Sequence, residues 1–326
     1  MLARLLKDLF ATAMRPGRVD CGGQLTVGMA AYGNERVTSF ALECLFAALG
    51  GDFELILVDD NSPDGTLDLF RSAADRHRDT KVFHFPENKE YSGSLNAILS
   101  HATRRYVLFL SNDIFVTPGY LGRLLEVASA DEGHGIVRGA SNFCDDSVAA
   151  HNIPTPGACG SDINALFRFG EKVSREQRGQ LLADKFLTGD AFLVTRAVLD
   201  RIGTIDTSFF GYFADCDFCV RSRIAGFRPA TACGAFAYHS RAANLNYLDA
   251  ESRRQKLDRR YQRVDSAWEH FYRKYERALE GQVYAEDGRI AFKYWKDLPW
   301  DRIANAGFAA GEHYVAPMDY GKFRVR

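Results

Sequence analysis

The stretch FELILVDDNSPDGTLDLFRSAADRH, residues 53–77, opens almost wholly apolar, ends that run in two adjacent acids, and then changes to a helical period. A continuous apolar run of strand length is the mark of a strand buried on both faces, as in a parallel sheet. Asn61, Ser62, Asp64 and Gly65 are turn formers, and TLDLFRSAADRH (66–77) has the spacing of an amphipathic helix. Two neighbouring carboxylates at the end of a buried strand are costly unless they receive hydrogen bonds or meet a cation. In open parallel sheets ligands bind outside the carboxyl ends of the strands, where a carboxylate can accept from the N–H of a nucleobase. The plainer alternative is a loop with a cap for the following helix.

The same alternation extends in both directions. LTVGMAAY (25–32) reads as a strand and ERVTSFALECLFAAL (35–49) as a helix; KVFHF (81–85) is extended and SLNAILSHAT (94–103) helical. RYVLFLS (105–111) and GIVRGA (135–140) read as further strands. The rhythm is lost between 141 and 184, apart from one helix near the end of that stretch, and long irregular segments of this kind are commonly lids or binding loops. Order returns with a strand and helix over 186–203 and a helix over 215–226. The expectation is an α/β fold, a mainly parallel sheet flanked by helices. Past Arg241 the chain becomes a charged, aromatic-bearing helical segment, and the last ~45 residues have no clear period.

With 326 residues, 46% of them hydrophobic, the chain can bury a large core in one or two domains. Its 41 basic and 42 acidic residues nearly cancel, which removes the electrostatic case for nucleic acid as a partner. Seven cysteines without a repeating spacing point to reduced thiols in a cytoplasmic compartment. No apolar run approaches the ~20 residues that span a bilayer, and no secretory signal is evident. Leu2, Leu5, Leu6, Leu9 and Ala13 recur at helical spacing among Arg4, Lys7 and Arg15. Such a helix suits either packing on its own domain or peripheral contact with the anionic inner face of a membrane.

Three other segments carry chemistry. In SNDIFVTPG (111–119), Thr117 and Pro118 read as the start of a helix, and Asp113 offers a hard oxygen ligand for Mg²⁺ or Mn²⁺. In GYFADCDFCVR (211–221), Asp217 and Arg221 are four apart and pair along the helix, whereas Asp215 in the first turn has no such partner. Asp215 is therefore a candidate general base, with helix capping as its rival role. Cys216 and Cys219 form a C-x-x-C without the second pair a structural zinc site requires, so two buried helix cysteines are expected. His239 follows a strand and gains interest only from the other segments. Leu257, Tyr261, Val264, Trp268, Phe271 and Tyr275 make a heptad stripe beside a basic face of Arg253, Arg254, Lys256, Arg259, Arg260 and Arg263. Docking on the rest of the chain is the default for this stripe; a homodimer through 257–275 or contact with an anionic acceptor are the alternatives.

Taken in order, VDDNSPDGT (58–66), ENKEYSGSLN (87–96), YVLFLSNDIFVTPGYL (106–121), FLTGDAFLVTRAVLDRIGTIDTSFFGYFADCDFCVR (186–221) and AYHS (237–240) resemble family 2 glycosyltransferases of GT-A fold, their rhamnosyltransferase-like members included. The resemblance implies an inverting transferase that moves a sugar from a nucleotide-diphosphate donor to a hydroxyl acceptor with a divalent metal, Mn²⁺ or Mg²⁺, on the pyrophosphate. It implies a catalytic domain over 24–243, a nucleotide-binding half (24–140) and an acceptor half (141–243), between an N-terminal extension (1–23) and a helical C-terminal extension (244–326). Carried over by position, Ala31, Tyr32 and Asp60 line the base pocket, with Asn88, Asn96 and Asn112 beside the nucleotide. Asp113 matches the last acid of the D-x-D metal motif, His239 a further metal ligand, Asp215 the base, and Gly189 and Asp190 the border of the acceptor. UDP is the donor nucleotide favoured by family frequency, with dTDP and GDP as alternatives. Polysaccharide, glycolipid or other glycoconjugate synthesis is the implied setting. Three positions depart from the pattern: Ser111 for the first acid of D-x-D, Ala214 for a glutamate before the base, and Glu90 for a glycine.

Rival readings are weaker. A sugar-1-phosphate nucleotidyltransferase needs a glycine-rich basic loop after the first strand, which AAYGNERV lacks, and an NAD enzyme needs G-x-G-x-x-G there. A binding or scaffold protein that kept the fold and lost the chemistry would be consistent with Ser111 and Ala214 but not with Asp113, Asp215 and His239.

Overall fold

A computed structural model describes residues 17–144, 151–186, 189–241, 250–280, 298–306 and 313–326. The amphipathic pattern of residues 2–15 lies outside the described residues, as does most of the aperiodic tail. The first half runs β1 (Leu25–Ala31), α1 (Glu35–Ala48), β2 (Glu54–Asp59), α2 (Thr66–Arg76), β3 (Thr80–His84), α3 (Glu90–His101), β4 (Tyr106–Ser111), β5 (Ile114–Phe115), α4 (Pro118–Ala130) and β6 (Ile136–Ser141). The second half runs α5 (Ile163–Glu176), β7 (Leu181–Ala183), β8 (Ala191–Thr195), α6 (Arg196–Ile202), α7 (Ala214–Ile224), β9 (Ala230–His239), α8 (Ala250–Lys274), α9 (Glu276–Leu279) and α10 (Trp300–Asn305).

The strands form one sheet in the order β3-β2-β1-β4-β8-β6-β9-β5, with β7 on the side of β9. From β3 to β4 the pairing is parallel, as the apolar runs and intervening helices require. Beyond β4 the sheet is mixed: β8 is antiparallel to both β4 and β6, and β9 is parallel to β6 but antiparallel to β5 and β7. The expectation of a mainly parallel sheet thus holds from β3 to β4, and the rest of the sheet departs from it because β8 enters from the opposite end. One charge inside the sheet is satisfied at its start: buried Glu54 accepts from Thr26, Lys81 and Thr103.

Apolar side chains pack on both faces of the sheet. On one face Trp268 and Phe271 of α8, with Tyr275 just after it, enter the core with Phe209, Phe213 and Trp300. The ring centroids of Phe213 and Phe271 lie 5.2 Å apart and those of Phe271 and Tyr275 4.6 Å apart. This half of the heptad stripe is covered by its own chain, which removes it as a free face for a homodimer. The side chains of Leu257 and Tyr261 lie outside the described residues. Asp217 and Arg221 do pair, at 2.7 Å, but inside the core and not on the helix surface. Cys216 and Cys219 are buried helix cysteines. Among the described residues no helix is long and apolar enough to cross a membrane.

Candidate active site at the carboxyl edge of the sheet

The first strand ends build one wall. Asp59 and Asp60 separate in role: Asp59 is fully buried and bonds His84 Nδ1 at 2.7 Å, whereas Asp60 Oδ1 accepts from the Lys89 backbone N–H at 2.6 Å. Burial pushes the Asp60 carboxyl up to about 6. Its own N–H donates to Ala31 O at 2.9 Å, which sets the end of β2 beside the end of β1. Tyr32 stands next to this pair and is 52% exposed. Asn88 donates to Asp60 O and accepts from the Glu90 N–H, closing the turn that presents Lys89. Asp64, one of the expected turn formers, accepts from Glu35 N and Thr66 N and so fastens two helix starts.

Like Asn88, the other two expected asparagines have structural partners. Asn96 is fully buried, and its amide donates to Thr204 Oγ1 and Ile205 O, so it anchors the loop after α6. Asn112 donates to Gly33 O and Thr38 Oγ1 and steadies the turn after β1.

Three chain segments converge next to that wall. Antiparallel pairing sets His239 opposite Ile114, and Ser240 N donates to Asp113 O at 2.9 Å, so the end of β9 lies against Asp113. Ser111 N donates to Asp190 O at 2.9 Å, which brings the start of β8 to the same place. His239 Nε2 lies 3.2 Å from Asp113 Oδ2, and His239 Nδ1 lies 3.5 Å from Asp190 Oδ2. Burial alone would lower the His239 imidazole; the hydrogen bond and charge of Asp113, with the charge of Asp190, outweigh it and raise the ring to about 9. Burial raises the Asp190 carboxyl, opposed by Arg138 and His239. Arg138 was not expected here. It stands 3.7 Å from Asp190 within a buried strand, and a charge inside the apolar run GIVRGA is the signal that could have found it.

Asp215 stands in the first turn of α7, across Gly189 from this cluster. A Cβ on Gly189 would come within 2.8 Å of Asp215 Cβ and 1.9 Å of Tyr91 Oη, so only glycine allows both side chains to close on the backbone. Tyr91 Oη donates to Gly189 O at 2.8 Å, a contact that nothing in the spacing of ENKEYSGSLN reveals. Burial raises the Asp215 carboxyl to about 6, opposed by hydrogen bonds from the Cys216 and Gly189 N–H groups. Such a group is ionised at neutral pH and still basic enough to take a proton. Gly189→Ala is therefore expected to displace Tyr91 and tilt Asp215, lowering turnover about tenfold or more while the far-ultraviolet circular dichroism of the fold is kept. An unchanged turnover number in this variant would show that the contact does not position the acid.

The departures from the family pattern have physical settings. Ala214 is fully buried in the apolar cluster, where a glutamate would be an unpaired charge. Glu90 lies at φ 59°, in the left-handed region a glycine would occupy without strain, and its carboxylate pairs with Arg263 of α8 at 2.5 Å.

The donor set fits a divalent ion at Asp113 and His239. Two neighbouring ligands of an octahedral ion with bonds of about 2.1 Å stand about 3 Å apart, close to the 3.2 Å between Asp113 Oδ2 and His239 Nε2. Among the described residues no group of three or more His, Cys, Asp or Glu is arranged to hold a metal, so this pair would need phosphate oxygens and water to complete a shell.

Residues 26–203 match the sequence pattern described as glycosyl transferase family 2. An uncharacterised protein of Sinorhizobium fredii is 25% identical over 223 residues, covering 67% of this chain and 24% of that protein. An uncharacterised glycosyltransferase of Nostoc sp. is 28% identical over 200 residues, 59% of this chain and 57% of the relative. This chain thus spans well under two thirds of the length of either relative. A mannosyltransferase of Pyrobaculum calidifontis, solved in complex with GDP-Man and Mn²⁺, superposes with a TM-score of 0.50 at 18% identity, over 75% of this chain and 65% of that one. That likeness identifies the GT-A fold.

Proposed function

The chain belongs to glycosyl transferase family 2, and from that premise we propose that it is an inverting transferase acting on a nucleotide-diphosphate sugar. The observation that carries this reading is the convergence of Asp113, Asp190 and His239 beside Gly189 and Asp215, next to the Asp60 wall. In the proposed reaction Asp60, steadied by the Lys89 N–H, accepts from the base of the donor, and Tyr32 flanks that base. Asp113 and His239 would hold a Mn²⁺ or Mg²⁺ ion, which when bound supplies positive charge to a departing diphosphate. His239 must give up its proton to serve as a ligand, so metal affinity is expected to rise with pH. Asp190, balanced by Arg138, borders the acceptor. Asp215 takes the proton of the acceptor hydroxyl as that oxygen attacks the anomeric carbon from the face opposite the diphosphate, which inverts the configuration.

The likeness to a neighbour solved with GDP-Man and Mn²⁺ supports a nucleotide sugar and a divalent ion as the class of ligand. UDP, dTDP and GDP are the nucleotides to try, and a protein working peripherally at the inner face of a membrane is consistent with the pattern of residues 2–15. Thermal unfolding with each diphosphate, with and without Mn²⁺, tests the reading, because a ligand of the folded state raises its apparent stability. At least one diphosphate is expected to raise the midpoint by several degrees more with Mn²⁺ than without, and Asp113→Asn to remove that metal-dependent increment. The absence of a shift with every nucleotide would refute the proposal.

A further inference from the structure

We propose that the groove between residues 208–213 and α8 is a saccharide subsite for the acceptor, with Phe210 as its platform; this deepens the transferase reading above and rests on it. The cavity there is about 260 Å³ and is lined by Ser208, Phe210, Arg263, Ser266, His270 and Arg273, among others. That is just under the ~300–1,000 Å³ typical of small-molecule pockets and suits a ligand the size of one or two rings.

Its position ties it to the site. The loop leads straight into α7, whose first turn carries Asp215. On the other wall Arg263 pairs with Glu90, and the next residue, Tyr91, bonds Gly189 O against Asp215. The loop is also built to turn one ring outward. Phe209 and Phe213 are buried, Phe213 at φ 63° against Trp268 and Phe271, while Phe210 between them is 53% exposed. A bulky residue in the left-handed region is uncommon and marks a loop shaped by its surroundings.

The chemistry selects a neutral, hydroxyl-rich ligand. Among the described lining residues Arg263 is balanced by Glu90 and Arg273 by Glu269, so neither arginine offers an unpaired charge to a phosphate. What remains is an aromatic face beside donors and acceptors: Ser208 with its His270 partner at 3.0 Å, and the exposed Ser266. A sugar ring presents C–H groups on one face and hydroxyls around its edge, and matches that pairing of an apolar platform with a polar rim. Both walls of the groove lie beyond residue 203, the last residue of the family match.

The test uses the full chain with UDP and Mn²⁺ present and four probes, the trisaccharides of glucose, galactose, mannose and N-acetylglucosamine, titrated by ligand-observed NMR. Pyrophosphate serves as the anionic comparison. Phe210→Ala removes the platform, and Ser266→Tyr fills the groove from an exposed position without touching the core. At least one trisaccharide is expected to bind the wild type and to bind both variants at least tenfold more weakly, with the nucleotide thermal shift unchanged in all three proteins. The subsite is overturned if no trisaccharide binds, if binding is equal in the variants, or if pyrophosphate is the probe whose binding they lose. A Phe210-dependent saccharide in a wild type that shows no nucleotide shift would leave the subsite standing and remove the transferase reading.

Discussion

Asp215→Asn is expected to slow sugar transfer by about 10³-fold, within the 10²–10⁴ range of a general base, while nucleotide affinity stays within about twofold. The amide has the shape of the carboxylate and keeps the acceptor for the Cys216 N–H, at 2.9 Å in the wild type, but it cannot take a proton. The wild-type enzyme should show the same dependence through pH. The carboxyl titrates at about 6, so its ionised, active form is lost as pH falls through that value and turnover declines about tenfold per unit below it. Asp60 also titrates at about 6, so the acidic limb of kcat/KM reflects both groups, whereas kcat at saturating donor isolates Asp215. Stability moves the other way. A carboxyl whose folded value lies above its unfolded value favours the fold at low pH, and that contribution is lost as pH rises through about 6. The asparagine variant should therefore be more stable than wild type at pH 7, by about 2 kcal/mol for a partly buried group, and indistinguishable from it near pH 4. A variant retaining more than a tenth of the wild-type rate would exclude Asp215 as the base.

The individual strand ends were legible in the sequence, and their meeting was not. Asp60 and Asp113 each follow a continuous apolar run, and burial on both faces of a parallel sheet forces such runs to end at one edge. Asp215 could be read as a carboxylate without a helix partner because Arg221 faces Asp217 instead. Strand direction beyond Ser111 could not be read, since a short apolar run such as AFLVT fits a parallel or an antiparallel neighbour equally well. Yet it is the antiparallel entry of β8 and the pairing of β9 with β5 that bring Asp190 and His239 to Asp113. Asn96 shows the opposite limit: its place in the family pattern suggested the nucleotide, but side-chain direction on α3 turns it into the core, where Thr204 and Ile205 bind it. Tyr91 and Arg138 act over long sequence separations, and local patterns carry no record of such contacts.

Arg221→Met should destabilise the protein by about 3 kcal/mol, the low end of the 3–5 typical when one partner of a buried ion pair is removed. Arg221 is fully buried and binds Asp217 Oδ2, Ile202 O, Thr204 O and His313 O, tying α7 to the end of α6 and to the C-terminal segment. Methionine occupies a similar volume but orphans those acceptors. Asp217 would keep Lys274 Nζ at 2.7 Å and Tyr275 Oη at 2.8 Å, so its charge would not be left wholly uncompensated, which is why the lower figure applies. Burial would raise the Asp217 carboxyl, but Arg221 and then Lys274 lower it below the usual range. Its stabilising contribution is thus present at neutral pH and lost as pH falls below the ordinary carboxylate range, and the variant should lose less stability than wild type over that interval. Denaturant midpoints at pH 7 and pH 3 measure both effects. Adding Asp217→Leu to Arg221→Met should recover part of the loss, because the stranded charge is then gone; a double variant weaker than the single would show that packing and not charge decides the cost. Asp217 and Asp215 are two residues apart and point to different sides of α7, one into this network and the other to the site. The same anchor that fixes the helix in the core therefore sets the position of the carboxylate at its start, and turnover in Arg221→Met should fall at temperatures where the protein is still folded.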